Sequence, residues 1–309
     1  MILPKIRRSL RELKRGARKR QRIKAGLTEL SEAVSSGLPE VFARGLQCVI
    51  GGMQPPDVAA AFARIEKIRV DIAARGDEQI PVFYSPKPSA DYRTVTAPGD
   101  CKTFSAQHLA MGTSVPADVG QMIHLIARDA GAGTLIEFGS CVGIGASYLA
   151  AVPCCKRFIT MEASTELSKI AADSVRSVNP RAEVYNQFFS EALDSILPTL
   201  ENGIDFAWID GHHEKTATIH YFQRIRPHLN SGAIVAFDDI YWSQDMLDGW
   251  NELRVRRGFS HAIDAGSCGL CLFEGQDAIP EQWSFSSYIG DGAWKPLKPA
   301  GWTESQPTT

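Results

Sequence analysis

Apolar residues recur at two different spacings along the chain, and the change of spacing divides it into two parts. Over residues 1–50 and 57–75 they fall three or four positions apart, which predicts amphipathic helices. From about residue 113, short apolar runs alternate with helical stretches, a pattern typical of a parallel α/β sheet. Between the two parts, the proline-rich residues 76–105 predict a long loop, which we interpret as a lid over a binding site.

The α/β part is predicted to contain seven strands separated by helices. The strands are expected at 134–138, 157–162, 182–186, 205–209, 233–237, 261–265 and 270–273. The helices are expected from Pro116 to about Gly131 and at 144–152, 164–177, 190–200, 214–228 and 243–257. Because only a short turn separates the last two strands, they are predicted to form an antiparallel hairpin in an otherwise parallel sheet.

The composition is that of a globular protein, with 44% hydrophobic and 22% charged residues. No apolar run approaches the roughly 18 residues of a membrane span. The seven cysteines are scattered, which argues against a disulfide scaffold and favours a reducing, cytoplasmic setting. The expected organisation is a basic helical arm at 1–30, a helical segment with the lid loop at 31–112, the α/β domain at 113–274 and a tail at 275–309.

Charge is strongly segregated along the chain. Residues 1–24 carry eleven Lys and Arg against the single acid Glu12, which leaves 22 bases and 34 acids in the remainder. Such an arm suits an anionic partner, either a membrane surface or RNA, although a solvated helix would look the same in sequence. It has no apolar stretch of signal-peptide length, so secretion is not expected.

A glycine-rich turn follows the first predicted strand of the α/β part. It runs Glu137-Phe-Gly139-Ser140-Cys-Val-Gly143-Ile-Gly145. Glycines at a strand-to-helix junction let the backbone turn sharply and approach a ligand, while the helix start offers unpaired N–H groups. A dinucleotide-binding turn would need a glycine where Tyr148 stands, which disfavours a nicotinamide dehydrogenase.

The turn resembles the first motif of class I S-adenosylmethionine-dependent methyltransferases, of the methyltransferase-24 kind. That resemblance implies a Rossmann-like seven-stranded fold with S-adenosylmethionine as cofactor, the glycine turn beneath its methionine part and Glu137 near its amino group. The acid Glu162 ends the second predicted strand, where a carboxylate can accept both ribose hydroxyls, and Ala163 beside it is a further cofactor candidate. Phe189 and Ser190 would meet the adenine, although Ser190 is equally suited to cap a helix.

Three acids follow two further predicted strands. Asp210 follows the fourth strand, and Asp238 and Asp239 follow the fifth. Because parallel strands end at the same edge of a sheet, these carboxylates are expected to lie close together and to repel one another unless a cation or protonation relieves them. Such an oxygen-rich set suits Mg²⁺ or another divalent cation.

Residues 113–273 are similar to the metal-dependent O-methyltransferases of the catechol and caffeoyl-coenzyme A type. The resemblance implies that Asp210, Asp238 and Asp239 are the metal ligands, with Asp239 in place of the usual Asn. It further places His213 where the catechol enzymes have a lysine that takes the substrate proton, so that His213 and Asp210 are the catalytic candidates. Ser114, in the helix before the glycine turn, is implied to lie near the cofactor carboxylate.

The expected function is therefore methyl transfer from S-adenosylmethionine to a hydroxyl of a small molecule, with or without a divalent cation. Two other classes stay open. The basic arm would suit an RNA-associated methyltransferase, and a degenerate cofactor fold would serve as a non-catalytic interaction module. A homodimer is compatible with the sequence.

The pair Cys268 and Cys271 is interpreted as buried strand cysteines rather than a zinc site, because no second pair has a suitable spacing.

Overall fold

We describe residues 2–83 and 101–298 of a computed structural model, with side chains from Arg15 onwards. Its helices are α1 (Ile2–Ser35), α2 (Ala43–Gly51), α3 (Ala59–Ala73), α4 (Ala106–His108), α5 (Ala117–Asp129), α6 (Ile144–Ala150), α7 (Thr165–Val178), α8 (Phe189–Ile196), α9 (Lys215–Ile225) and α10 (Gln244–Leu253). Within these ranges no helix combines the length and the apolar character that a membrane span requires.

The strands form one large sheet and one small one. They are β1 (Gln79–Phe83), β2 (Cys101–Ser105), β3 (Thr134–Phe138), β4 (Arg157–Met161), β5 (Glu183–Tyr185), β6 (Ile204–Ile209), β7 (Leu229–Phe237), β8 (Gly258–Ala265), β9 (Cys268–Gln276) and β10 (Glu281–Ser284). The large sheet has the order β10-β8-β9-β7-β6-β3-β4-β5, and β1 pairs with β2 alone. All neighbours in the large sheet run parallel except β9, which is antiparallel to β7 and β8. The predicted α/β class and terminal hairpin are confirmed.

The two faces of the sheet are buried in two separate apolar clusters. Successive residues of β3 divide between them, with Leu135 in one and Ile136 in the other, as the alternation of side chains along a strand requires. Helices α5 and α6 pack on the first face, and α8 and α9 contribute to the second. The central strands of the sheet are therefore largely apolar, which is why they read as short continuous runs in the sequence.

The strand order creates a crevice at the centre of the sheet. From β3 the chain proceeds outward through β4 to β5, then crosses back to β6 on the other side of β3. In open α/β sheets, ligands bind where the strand order reverses in this way, outside the carboxyl ends of the strands. The ends of β3 and β6 therefore define the place for a functional site.

Several predicted elements differ from the structure. The large sheet has eight strands rather than seven, because β10 in the tail adds in parallel to β8. The ends of the predicted loop 76–105 are the paired strands β1 and β2, while residues 84–100, which carry most of that loop, lie outside the described residues. The prolines of this segment obscured the strand pattern of β1 in the sequence. Pro81 is nevertheless accommodated in β1, where it lies opposite Thr103 in a sheet of two strands.

The N-terminal helices pack onto the α/β body. Helix α2 crosses α5 so closely that a Cβ at Gly45 would lie 2.5 Å from a side-chain carbon of Ile126. Helix α1 runs unbroken to Ser35, across the expected boundary at residue 30. Pro116 stands one position before α5, as its N-cap, rather than at the first helical position.

Candidate active site

A cavity of about 950 Å³ opens at the carboxyl ends of β3 and β6. It lies at the upper end of the range for ligand pockets, about 300–1,000 Å³. Every residue predicted from the sequence as a cofactor contact, base or metal ligand lines it, except Gly143. Instead, Gly143 is the N-cap of α6 in a left-handed conformation, and a Cβ there would lie 2.9 Å from Ala171.

The glycine turn brings the ends of β3 and β6 into contact. Gly139 has a φ of 95°, a conformation that favours glycine, and a Cβ there would lie 2.0 Å from the carbonyl oxygen of Asp210. At Gly145 a Cβ would lie 3.0 Å from Oε1 of Glu137. Both glycines therefore keep backbone close to groups that line the cavity.

Glu137 is a buried acid at the floor of the cavity. Its carboxylate accepts a hydrogen bond from the Thr160 hydroxyl, which also lies against the Ser140 hydroxyl. Burial raises the pKa of the Glu137 carboxyl to about 8, with the hydrogen bond from Thr160 acting in the opposite direction. A cationic ligand group would relieve this unfavourable burial of charge, so Glu137 is suited to an ammonium group.

Glu162 follows β4 and is held by backbone amides. Its Oε2 accepts from the Cys141 N–H at 3.0 Å, and its Oε1 accepts from the Ser164 N–H at 2.9 Å. Burial raises the pKa of the Glu162 carboxyl to about 7, although these hydrogen bonds favour the charged form. Because an ionised carboxylate has about four acceptor positions, Glu162 can still accept from a ligand hydroxyl beside these backbone donors.

An aromatic group forms the wall next to Glu162. The ring of Phe189 packs edge-on against Phe138 and Tyr221, with centroid distances of 5.6 and 5.3 Å. A Cβ at Gly211 would lie 2.8 Å from the Phe189 ring. The predicted capping role of Ser190 is wrong, because α8 begins at Phe189 and has no side-chain cap.

The three predicted metal-ligand acids gather around His213. Nε2 of His213 lies 3.9 Å from Oδ1 of Asp210, and its Nδ1 lies 3.6 Å from Oδ2 of Asp239. Burial, followed by repulsion from Asp238 and Asp239, holds the pKa of Asp210 well above its usual range. Burial and Asp239 likewise raise the pKa of Asp238, which accepts a hydrogen bond from the Cys268 thiol at 3.2 Å.

This arrangement does not fit a three-carboxylate metal site. The His213 ring stands between Asp210 and Asp239, and Asp238 is engaged by Cys268. Across residues 2–83 and 101–298, no three His, Cys, Asp or Glu side chains are arranged to hold a metal ion. Metal ligation stays a prediction, and no chemical step below depends on it.

Backbone strain is concentrated at the same cavity. Cys141, His212 and Asp239 have φ values of 47°, 66° and 54°, and all three line the cavity. The left-handed conformation costs non-glycine residues about 1–2 kcal/mol. Each of the three residues follows the end of a different strand. The loops that build the site are therefore held in strained conformations, and packing in other parts of the fold must stabilise them.

His212 is the more deeply buried of the two adjacent histidines. Its Nδ1 lies 3.0 Å from the Tyr221 hydroxyl. Burial, followed by the neighbouring His213, lowers the pKa of His212 to about 3, so the ring is neutral at physiological pH. His212 is therefore suited to shaping the cavity rather than to exchanging protons.

Residues 136–240 match the family model described as a methyltransferase domain, over about a third of the chain. This segment therefore resembles a methyltransferase domain, and residues 136–240 are called the methyltransferase domain from here on. The class I resemblance inferred from the glycine turn is thereby confirmed for the part of the chain that carries the turn, Glu162 and the three acids.

Solved structures and one relative extend the comparison. A Bacillus cereus O-methyltransferase in complex with S-adenosylhomocysteine shares the fold, with a TM-score of 0.51 at 17% identity over 69% of this chain and 91% of that chain. The O-methyltransferase TomG of Streptomyces achromogenes, in complex with S-adenosylmethionine, aligns with a TM-score of 0.44 at 24% identity over 52% of this chain and 82% of that chain. An uncharacterized protein of Acanthamoeba polyphaga mimivirus is 35% identical over 68 residues, 21% of this chain and 31% of that protein. The match therefore spans about a third of that relative's length.

Parts of the wall lie outside the methyltransferase domain. Arg69 of α3 is buried and donates to the carbonyl oxygens of Ala110 and Val115, at 2.9 and 2.7 Å, while pairing with Glu66. These bonds fix the segment that carries Ser114, whose hydroxyl donates to the Leu109 carbonyl at 2.9 Å. Arg69 and Glu66 line the cavity themselves.

Aromatic residues complete the side of the cavity next to His213. Trp242 lies 6.3 Å from the His213 ring between centroids, and Trp294 of the tail lies 6.0 Å from Tyr241. The β1–β2 hairpin adds Phe104. No sequence motif pointed to Glu66, Arg69 or Phe104, and the only signal for Trp294 was the aromatic content of the tail.

The predicted interpretation of the cysteine pair is confirmed. Cys268 and Cys271 are both buried, unpaired and on β9. The two differ in their surroundings, since Cys268 contacts an acid of the methyltransferase domain and the pKa of Cys271 is raised by burial alone.

Proposed function

We propose that the protein transfers the methyl group of S-adenosylmethionine to a hydroxyl of a small molecule. The observation that carries the proposal is that the methyltransferase domain presents two acids, the buried Glu137 and the partly buried Glu162, on the same cavity as His213. Glu137 would accept from the ammonium group of the cofactor, and Glu162 would accept from its ribose hydroxyls. His213 lies where an acceptor hydroxyl would need a base.

The residues of the cavity divide into a cofactor end and an acceptor end. Glu137, Glu162 and Phe189 would hold the ammonium, ribose and adenine groups of the cofactor. When bound, S-adenosylmethionine supplies a methyl group on a positively charged sulfur, and an acceptor oxygen attacks the methyl carbon in line so that the sulfur leaves. Ser114 would meet the cofactor carboxylate, held in place by the bonds that Arg69 makes to the same segment.

His213 is the base in this proposal. A histidine exchanges protons near neutral pH, and the nearby carboxylates of Asp210 and Asp239 would stabilise the ring once it has taken up the acceptor proton. Trp242 and Trp294 wall this end, which favours an acceptor with an apolar, flat surface. Orientation of the two ligands and removal of water supply the rest of the rate enhancement.

Calorimetric titration with S-adenosylmethionine, S-adenosylhomocysteine and NAD tests the cofactor. We expect both adenosyl ligands to bind and NAD not to bind, with binding lost in Glu162→Ala. The exposed acid variant Glu201→Ala is the matched control and should bind normally. Binding of NAD in place of both adenosyl ligands would refute the proposal, and binding without turnover of any phenol or sugar acceptor would favour an interaction module.

A further inference from the structure

The N-terminal part of α1 stands apart from the cavity and has no role in the proposed function. We call residues 2–24 the basic arm. Its first described contact with the body is Arg22, which donates to the carbonyl oxygens of Gly290 and Asp291, the latter at 2.8 Å. Immediately before it, Arg15, Ala17 and residues 18–21 are exposed.

Sequence positions on this helix separate into two faces. Because positions advance by about 100° per residue, Ile2, Ile6, Leu10, Leu13 and Ala17 fall on one strip about 80° wide. Eight of the eleven basic residues lie within about 90° of the opposite direction, namely Lys5, Arg7, Arg8, Arg11, Arg15, Arg18, Lys19 and Arg22. Beyond Ala17, Arg20 and Lys24 fall at the angle of the apolar strip, so the strip ends at Ala17. The arm is therefore amphipathic, and its polar face is almost entirely cationic.

The apolar strip of the arm is not the strip that packs on the body. Further along α1, Gly26, Leu30 and Ala33 are buried, and Gly26 approaches Tyr288 so closely that a Cβ would lie 2.7 Å from it. These positions lie about 150° around the helix from the apolar strip of the arm. Ala17, the described end of the apolar strip, is exposed.

We propose that the basic arm docks on the surface of a membrane that contains anionic phospholipids. A helix with a strongly basic face, a separate apolar face and low overall hydrophobicity lies in the bilayer interface, with its apolar residues among the acyl chains and its cations at the headgroups. An RNA-binding arm needs the cations but gains nothing from a continuous apolar strip. Two copies pairing through this strip would bring two strongly cationic helices together, which is unfavourable.

The anchoring of the arm joins it to the wall of the cavity. Arg22 holds the Gly290 carbonyl, and Gly290 and Trp294 line the cavity at its acceptor end. A docked arm would thus hold that wall close to the lipid surface. The membrane inference itself does not depend on the proposed reaction, because it rests on the arm alone.

Co-sedimentation of the full chain with lipid vesicles tests the inference. We expect binding to vesicles of phosphatidylglycerol and phosphatidylcholine, and weak binding to phosphatidylcholine alone. Leu10→Ser/Leu13→Ser keeps the charge and removes apolar residues, and it should weaken binding by about tenfold or more. Arg11→Gln/Arg15→Gln/Arg18→Gln should weaken it by about a hundredfold at low salt.

The matched control removes two exposed apolar side chains elsewhere. Val70 and Val255 are 59% and 43% exposed, and Val70→Ser/Val255→Ser should bind vesicles like the unaltered chain. Full vesicle binding by the Leu10/Leu13 variant would overturn the inference, because attraction between charges alone would then explain it. Absence of vesicle binding would also overturn it. Tight binding of single-stranded RNA would then assign the arm to nucleic acid, and self-association lost in the Leu10/Leu13 variant would assign it to a second copy.

Discussion

Gly139 and the carbonyl oxygen of Asp210 are in such close contact that a Cβ at position 139 would lie 2.0 Å from that oxygen. The contact joins the end of β3 to the end of β6, at the point where the strand order of the sheet reverses. It also brings the glycine turn next to the loop that carries His213. Both of these segments line the cavity, so the backbone at position 139 joins two parts of its wall.

Gly139→Ala is expected to abolish binding of S-adenosylhomocysteine and to lower the free energy of unfolding by about 3 kcal/mol or more, because the added carbon forces the two strand ends apart. Gly131→Ala is the matched control. Gly131 has a similar φ of 66° with no atom within 4 Å of the added carbon, so it should cost only about 1 kcal/mol of conformational strain. Denaturant unfolding and calorimetry measure both, and equal effects of the two variants would contradict the contact.

Stability of the protein without ligand should fall as pH rises from about 5 to about 8. Glu137 keeps its proton to about pH 8 in the folded protein, whereas an unfolded glutamate loses it near 4.5, so the folded state binds more protons in this interval. Glu162 acts in the same direction up to about pH 7. Because one pKa unit corresponds to about 1.4 kcal/mol, the two groups together are expected to reduce the free energy of unfolding by roughly 6 kcal/mol across that interval.

Glu137→Gln tests the origin of this pH dependence. The variant should flatten the curve of unfolding free energy against pH, since the amide does not titrate. Glu201→Gln, at an exposed position, should leave the curve unchanged. A curve for Glu137→Gln as steep as that of the unaltered protein would show that other groups cause the dependence.

His213→Asn should reduce kcat by about 10²- to 10⁴-fold while S-adenosylmethionine binds as before, because general-base catalysis contributes this much and the ring stands at the acceptor end. The acceptor for the assay is the best substrate from a set of phenols and sugars. His228→Asn, at a half-buried position after α9, is the control and should retain activity. Loss of cofactor binding in the His213 variant would instead indicate a structural role.

Removing divalent cations should leave both cofactor binding and turnover unchanged, because the His213 ring stands between the carboxylates of Asp210 and Asp239. Treatment with EDTA followed by calorimetry and an activity assay measures this. If Mg²⁺ restored activity after EDTA, and Asp238→Asn prevented the restoration, then the metal-ligand prediction from the sequence would hold and the acids would have to rearrange.

Arg69→Met should destabilise the protein by about 2–4 kcal/mol and weaken cofactor binding, since it leaves two carbonyl groups and Glu66 without their cationic partner. Lys67→Met on the same helix is the control. Its side chain is 72% exposed, so both properties should be unaffected. Normal cofactor binding in Arg69→Met would show that α3 supports the fold without shaping the cavity.

The sequence determined the framework of the site because local rules govern it. Strand and helix spacing identified the α/β sheet, and a glycine-rich junction with acids at strand ends located the cavity, since parallel strands end at one edge. The positions of Glu137, Glu162 and Asp210 at that edge followed from their place in the strand pattern alone. The prolines obscured the strand pattern of β1, and β10 was not predicted because a short, mostly exposed strand in a tail carries little hydrophobic pattern.

Only the tertiary structure decided how the site is closed and how its charges are arranged. Arg69 and Trp294 reach the cavity from segments far from the glycine turn in sequence, and no local pattern encodes such contacts. The placement of His213 between two acids depends on backbone conformations at His212 and Asp239 that non-glycine residues rarely adopt. Those conformations are strained locally and persist because the packing of the whole fold stabilises them.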